Sequence, residues 1–237
     1  MKLINIGNRF FNNYIIQTEI GLIVIDTGYE GGFDKFVCKF KAAGLSFTDV
    51  KFIFLTHAHD DHAGFLNELA QNTDAPIILH KDGVKRLKAG QNSFDGEFPT
   101  KKAFIFGKIM VFAGKGEHRF PPVDLFEKYL IFENNEQYLK GSGIDAQIIR
   151  LPGHTSDNIG LLLSDGKLLC GDAAMNGFPS TARQTIWIED KSEFLKSWDT
   201  MIKLKPVKIY PSHGRPFAAS DLEKYIKSSK LKTHPLR

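Results

Sequence analysis

The segment Phe52–Gly64, FIFLTHAHDDHAG, gathers the side chains best able to do chemistry. Four apolar residues, Phe52 to Leu55, run into Thr56-His57-Ala58-His59-Asp60-Asp61-His62. The apolar run predicts a buried strand, and Phe65, Leu66 and Leu69 at helical spacing predict a helix after it. Side chains two apart on extended backbone point the same way, so His57 and His59 can grip one ion together. Asp61 and His62 follow the turn of the chain and cannot easily aim at that same point. Ligand-type side chains pointing two ways within six residues imply two neighbouring metal ions. Nitrogen with carboxylate ligation suits zinc, with iron or manganese as alternatives. A merely solvated helix start is the competing reading. Three His and two Asp in six residues after a buried strand weigh against it.

Three further stretches repeat the design, an apolar run followed by a ligand-type residue among small or turn residues. Ile148-Ile149-Arg150-Leu151-Pro152-Gly153 leads to His154-Thr155, Leu168-Leu169-Cys170-Gly171 to Asp172, and Val207-Lys208-Ile209-Tyr210-Pro211-Ser212 to His213. Each puts a polar side chain just past a strand end, where active-site residues gather in sheet-based folds. Singly they are weak signals, and a lone His after Pro-Gly is usually a turn residue. Asp26, after the run Leu22–Ile25, is either a turn former or a partner for a metal-bound histidine.

These residues need strands to carry them. Tyr14–Ile16 and Leu22–Ile25 flank Glu19-Ile20-Gly21, a hairpin. Phe33, Phe36, Val37 and Phe40 mark an amphipathic helix ended by Gly44. Strand Lys51–Leu55, a helix from about His62 to Gln71, and a short strand Pro76–Leu79 with His80 at its end complete the first half. The second half reads as a looser copy, with strands at Tyr129–Phe132, Ala146–Ile149, Ile159–Leu163, Leu168–Cys170 and Val207–Tyr210. Asp190 and Glu193 form a capping box for a helix with Phe194, Leu195, Trp198, Met201 and Ile202 inward, and Ser220 with Glu223 form another. The basic end KSSKLKTHPLR is read as frayed, and His234 is assigned nothing. Strands and helices alternate irregularly, which argues for an α/β (α+β) chain of two mixed sheets with helices outside, not a doubly wound parallel sheet.

Residues 90–122 stand apart. Five glycines and three prolines break every pattern, while Phe94, Phe98, Phe104, Phe106, Phe112 and Phe120 mix with Lys101, Lys102, Lys108, Lys115 and Arg119. Such a stretch is either an active-site insert that folds over the metal mouth or a connector that packs its aromatics inward. His118 within it reads as a surface residue.

At 237 residues, with 42% apolar and 24% charged residues, the chain has the make-up of an ordinary globular protein able to bury a full core. Lys plus Arg exceed Asp plus Glu by 31 − 27 = 4, too mild an excess to call for nucleic acid. Cys38 and Cys170 both sit in apolar patterns and read as buried thiols, not a disulfide. The N-terminus does not read as a secretory signal and no run is long enough to span a membrane. A cytoplasmic enzyme with a small-molecule substrate and no membrane partner is expected.

The pattern H-x-H-x-D-H, completed by His154, Asp172 and His213, resembles the signature of the metallo-β-lactamase-fold hydrolases, and the resemblance runs from Asp26 to His213. It implies one domain over residues 1–237, a four-layer αββα sandwich. It implies that His57, His59 and His154 hold a first metal, that Asp61, His62 and His213 hold a second, and that Asp172 bridges the two. A shared hydroxide between two zinc ions, which Asp61 helps to orient, would attack a carbonyl without a covalent intermediate. It also tilts Asp26 towards holding a ligand histidine, with Thr56 and Thr155 as further candidates, while Asp60 reads as simply exposed.

Within that family, the commonest β-lactamases carry a cysteine where Asp172 stands. Glyoxalase II and the acyl-homoserine-lactone hydrolases resemble the chain better, although glyoxalase II adds a helical region for which the 65 residues after Asp172 are too few. The leading expectation is therefore hydrolysis of a small ester, thioester or lactone. The alternatives are a phosphodiesterase or nuclease on the same centre, with Arg183 and Arg215 meeting phosphate, a β-lactamase side activity, or a metal-binding protein without catalysis. Met175, Asn176 and Phe178 are candidate pocket residues, with loop packing an equal reading.

Overall fold

The computed structural model describes residues 1–93, 95–134, 136–140, 142–228 and 234–235. Phe94, Asn135 and Gly141, and most of the basic end, lie outside the described residues. In chain order the strands and helices are β1 (Lys2–Asn5), β2 (Tyr14–Gln17), β3 (Leu22–Ile25), α1 (Phe33–Ala42), β4 (Val50–Phe54), α2 (Asp60–Ala63), α3 (Leu66–Gln71), β5 (Ile77–His80) and α4 (Lys81–Ala89). Then follow β6 (Glu97–Phe98), α5 (Lys101–Phe112), β7 (Tyr129–Phe132), β8 (Ala146–Arg150), β9 (Ile159–Leu163), β10 (Lys167–Gly171), α6 (Lys191–Lys203), β11 (Lys208–Pro211), α7 (Ala219–Ser228) and β12 (His234–Pro235). The chain divides into two compact units, residues 1–92 with 119–147, and residues 93–118 with 148–237.

The first unit holds a six-stranded mixed sheet in the order β1-β2-β3-β4-β5-β7. β1, β2 and β3 pair antiparallel, whereas β3, β4, β5 and β7 run parallel. All four residues of β3 are buried, which is why it reads as a continuous apolar run and not an alternating one. Phe36 and Phe40 of α1 pack with Phe33, Phe47 and Phe65 in an aromatic cluster against the sheet. The helix expected over 62–71 is two pieces, α2 and α3, broken at Gly64 and Phe65. Gly64 keeps helical dihedrals, and the departure is at Phe65, with φ −123 and ψ 31. Gly64 also lies close against the neighbouring loop, where a Cβ would come within 2.3 Å of the Glu30 amide nitrogen and 2.5 Å of the Gly28 carbonyl.

The second unit holds a four-stranded mixed sheet, β11-β10-β9-β8, and the small ladder β12-β6. Trp198, Phe194 and Met201 of α6 are fully buried, and Asp190 caps α6 by accepting from the Glu193 amide at 2.9 Å. Two mixed sheets with flanking helices are the expected fold class.

Several local expectations need correction. β7 does not belong with the second-half strands. It joins the edge of the first sheet, pairing parallel to β5 with Phe132 beside His80. The segment 90–122 is not irregular throughout, because Thr100 caps the twelve-residue helix α5 by accepting from the Ala103 amide. Gly107 inside α5 lies against the Phe98 ring, which a Cβ there would meet at 2.4 Å unless the ring shifted. Helix α4 was hidden by its polar sequence and ends in Gly90 at φ 62. α7 starts at Ala219, so Ser220 lies within the helix. Cys38 is exposed on the outer side of α1, opposite Phe36 and Phe40, and only Cys170 is buried.

Candidate functional site

The first unit gathers its candidate donors at the ends of two parallel strands. Ile25 of β3 lies beside Phe54 of β4, and the Asp26 amide donates to the Phe54 carbonyl at 2.9 Å. That register sets Asp26 next to Thr56. Asp26 adopts φ 55, a left-handed backbone that Asp tolerates better than most residues and that turns the chain at the strand end. Its carboxylate accepts three bonds: from the Thr56 amide at 2.7 Å, from the Thr56 hydroxyl at 2.8 Å, and from His62 Nδ1 at 2.9 Å.

This network fixes tautomers. The Thr56 hydroxyl has one proton, and it is spent on Asp26. The same oxygen lies 3.0 Å from His57 Nδ1 and therefore accepts from it. His57 and His62 both carry their proton on Nδ1, which leaves the Nε2 lone pairs as the coordinating atoms. Thr27 holds the end of α2, its amide and hydroxyl both donating to the His62 carbonyl at 2.8 and 2.7 Å.

His59 is the N-cap of α2 on extended backbone, and Asp61 and His62 lie in the helix, as the turn of the chain implied. The rings of His57 and His59 are 4.7 Å apart and those of His57 and His62 only 3.9 Å. The two sets of donors are therefore immediate neighbours. His62 Nε2 lies 3.6 Å from Asp61 Oδ1. His57, His59 and His62 are buried, whereas Asp61 is partly open to solvent. Asp60 is not simply exposed. Its amide donates to the Asn92 side chain at 2.8 Å, and Asn92 donates back to its carboxylate at 2.9 Å, which ties down the start of α2.

The second unit places His154, Asp172 and His213 in the loops after β8, β10 and β11. His154 Nε2 and His213 Nε2 lie 3.8 and 3.5 Å from the same Asp172 Oδ2. His154 Nδ1 is 2.8 Å from the Trp187 carbonyl, which can only accept, so this ring too offers Nε2. Thr155 does not hold His154. Thr185, at 3.5 Å, and Trp187 are the residues beside its Nδ1.

Asn158 was missed in the sequence. Its side chain accepts from the Asp172 amide and donates to the Leu151 and Cys170 carbonyls, joining the ends of β8 and β10. Gly153, at φ 123, lets the His154 loop press on α6, where a Cβ would meet the Phe194 backbone at 2.2 Å. The indole of Trp198 donates to the Ala173 carbonyl at 2.7 Å and so fixes the residue after Asp172.

Other candidates fall away from this chemistry. His80 is buried and caps α4, accepting from the Asp82 amide at 3.2 Å, while His118 is exposed as expected. Arg183 is not poised for phosphate: Nε and Nη2 donate to Asp221 at 3.0 and 2.6 Å, and Nη1 donates to Asn176. Met175 is buried, Asn176 is taken up in the loop with His213 and Arg215, and Phe178 is exposed.

The donor set suits a metal. Every candidate ligand is an imidazole or a carboxylate, three of the rings are held through Nδ1, and groups of these His and Asp donors could hold a metal ion. Residues 7–213, a span that contains all seven candidate ligands, match the profile of the metallo-beta-lactamase superfamily. The chain belongs to that superfamily.

A metallo-beta-lactamase fold-containing protein of Sulfurisphaera tokodaii is 26% identical over 220 residues, covering 90% of this chain and 76% of the relative. A beta-lactamase-like protein 2 homolog of Drosophila melanogaster is 24% identical and covers 86% of this chain and 58% of its own. A probable metallo-hydrolase of Bacillus subtilis is 26% identical over 174 residues, covering 69% of this chain and 61% of its own. The chain thus spans three quarters of the archaeal relative and less than two thirds of the other two.

Among solved structures, the archaeal superfamily protein superposes with a TM-score of 0.64 at 24% identity, covering 94% of this chain and 82% of that one. The Rm3 metallo-beta-lactamase superposes with a TM-score of 0.66 at 20% identity, covering 94% and 78%. The superfamily fold is thereby confirmed in this chain, and with membership goes the general class of a metal-binding hydrolase.

Proposed function

We propose that the two units are halves of one hydrolase domain and that their two donor sets together hold a pair of divalent cations, zinc first among them. His57, His59 and His154 would hold one ion, Asp61, His62 and His213 the other, with Asp172 shared. Such a pair supplies Lewis acidity and an activated water at neutral pH. The chain's residues do the rest. Asp26, Thr56 and the Trp187 carbonyl keep Nδ1 protonated, so no proton has to leave Nε2 for a ligand bond to form. Asp61, the most solvent-open donor of the first unit, is the group to orient the attacking water through a carboxylate oxygen. No serine or cysteine nucleophile is needed.

The reading rests above all on the hydrogen bonding of His57, His62 and His154 through Nδ1. The name of the Bacillus relative, a probable metallo-hydrolase, accords with it.

For the substrate we propose a small ester, thioester or lactone. The mild net charge favours an uncharged or singly charged acyl compound. The engagement of Arg183 with Asp221 removes one of the two arginines that would meet a phosphodiester. The test is elemental analysis of the purified protein, then a screen of lactones, thioesters, β-lactams and phosphodiesters with and without chelator. About two equivalents of metal per chain, acyl hydrolysis, and its loss on chelation are expected. Activity that survives full metal removal would overturn the mechanism, and a preference for phosphodiesters would overturn the substrate class.

A further inference from the structure

Helix α5 presents an apolar surface that the proposed hydrolase chemistry does not use. Ile105, Ile109 and Phe112 recur at i, i+4 and i+7, so they form one stripe along the helix. The stripe faces outward: Ile105 is 54% exposed, Ile109 59% and Phe112 94%. Over the first two turns the opposite side packs, while Val111 in the last turn is 59% exposed. Ala103 is buried, Gly107 presses on the Phe98 ring, and Phe104 meets that ring edge-on at 5.7 Å. The patch continues beyond the helix. Phe178, 71% exposed, stands edge-on to Phe106 at 5.8 Å.

Charge borders the stripe. By helical geometry Lys101 and Lys108 lie along one margin and Lys102 along the other. Lys102 Nζ sits 5.0 Å over the Phe178 ring. From Phe98 to Gly116 the sequence carries four lysines and no acidic residue. A contiguous exposed apolar patch rimmed by polar residues marks an interaction site.

Against the sequence-based expectation of no membrane partner, we infer that this face docks on an anionic phospholipid surface, with α5 lying flat in the headgroup region. The apolar stripe would enter the acyl boundary, and the flanking lysines would extend their stems and keep their ammonium groups among the phosphates. Charge decides between occupants. In a symmetric contact between two copies the same patch meets itself, so each lysine margin would face lysines. An anionic bilayer complements the lysine margins and the apolar stripe at once. No spanning segment is required, and no described helix is long and apolar enough to cross a membrane.

The experiment is flotation of the metal-loaded full chain with phosphatidylcholine vesicles, with and without phosphatidylglycerol, at low and high salt. The protein should float with the phosphatidylglycerol vesicles at low salt and release as salt rises. The double variant Lys102→Glu, Lys108→Glu should weaken binding at least thirtyfold, at about 1 kcal/mol for each lysine lost. The variant Ile109→Ser, Phe112→Ser should weaken it more than tenfold. All four positions are exposed, and an unchanged circular dichroism spectrum and metal content would certify the fold of both variants.

Equal binding to pure phosphatidylcholine, no binding, or variants that bind like the parent would overturn the inference. So would a dimer that Phe112→Ser dissociates in a protein that ignores vesicles, since the face would then join two copies. Binding to polyglutamate without binding to vesicles would assign it to an acidic protein partner instead.

Discussion

Asp26 governs more of the candidate centre than its place in a turn indicates. One buried carboxylate positions the Thr56 backbone and hydroxyl, holds the His62 imidazole directly and, through the Thr56 hydroxyl, holds that of His57. Asn at this position keeps the size and tolerates the left-handed backbone, but it cannot accept three bonds through two carboxylate oxygens. Asp26→Asn should therefore lower metal affinity about 10- to 100-fold while the chain stays folded. Competition against a chromophoric chelator would measure the loss, and unchanged affinity would show that the network is structural only. The seven candidate ligands and Asp26 were legible in the sequence because each is a polar residue beside a turn at the end of an apolar run. Asn92, Asn158 and the Trp187 carbonyl were not. Their roles depend on partners distant in the sequence, and a carbonyl carries no sequence signal at all.

At the scale of elements, the strand ends deliver the ligands and the helices behind them fix the loops. Trp198 shows how. It is fully buried in α6, and its indole satisfies the Ala173 carbonyl immediately after Asp172. Trp198→Phe keeps an aromatic ring but leaves that carbonyl without its donor. The unsatisfied group alone should cost about 1–3 kcal/mol, measured as a shift of the urea midpoint. A shift near zero would mean that the loop finds another donor. The buried strands were readable from β-branched and leucine runs bounded by turn residues. α4 was hidden because only Val84 and Leu87 mark its inner face in a charged sequence. α5 was hidden because apolar residues lie on its packed and its exposed sides alike and Gly107 interrupts it, so the period of either side is masked in the sequence. Sheet membership of β7 could not be read, since a parallel edge pairing has no local signature.

The molecule as a whole is two compact units, each made of separated stretches of chain. Its two thiols report on it differently. Cys38 is exposed on α1, whereas Cys170 is fully enclosed in β10 and burial pushes its thiol well up from the ordinary value. A disulfide exchange reagent should titrate one thiol within seconds in native protein and the second only on unfolding, since reaction needs both access and thiolate. Two fast equivalents would mean that β10 opens in the native state. The interleaving of the units also has a bearing on biosynthesis. A ribosome releases β5 well before β7, so the neighbour that shields this sheet margin is still unmade while the bond-forming groups of β5 are already outside the exit tunnel. Until Phe132 has itself left the tunnel, the nascent chain is open to mispairing with other polypeptides, and a holding chaperone would have most to do in that interval.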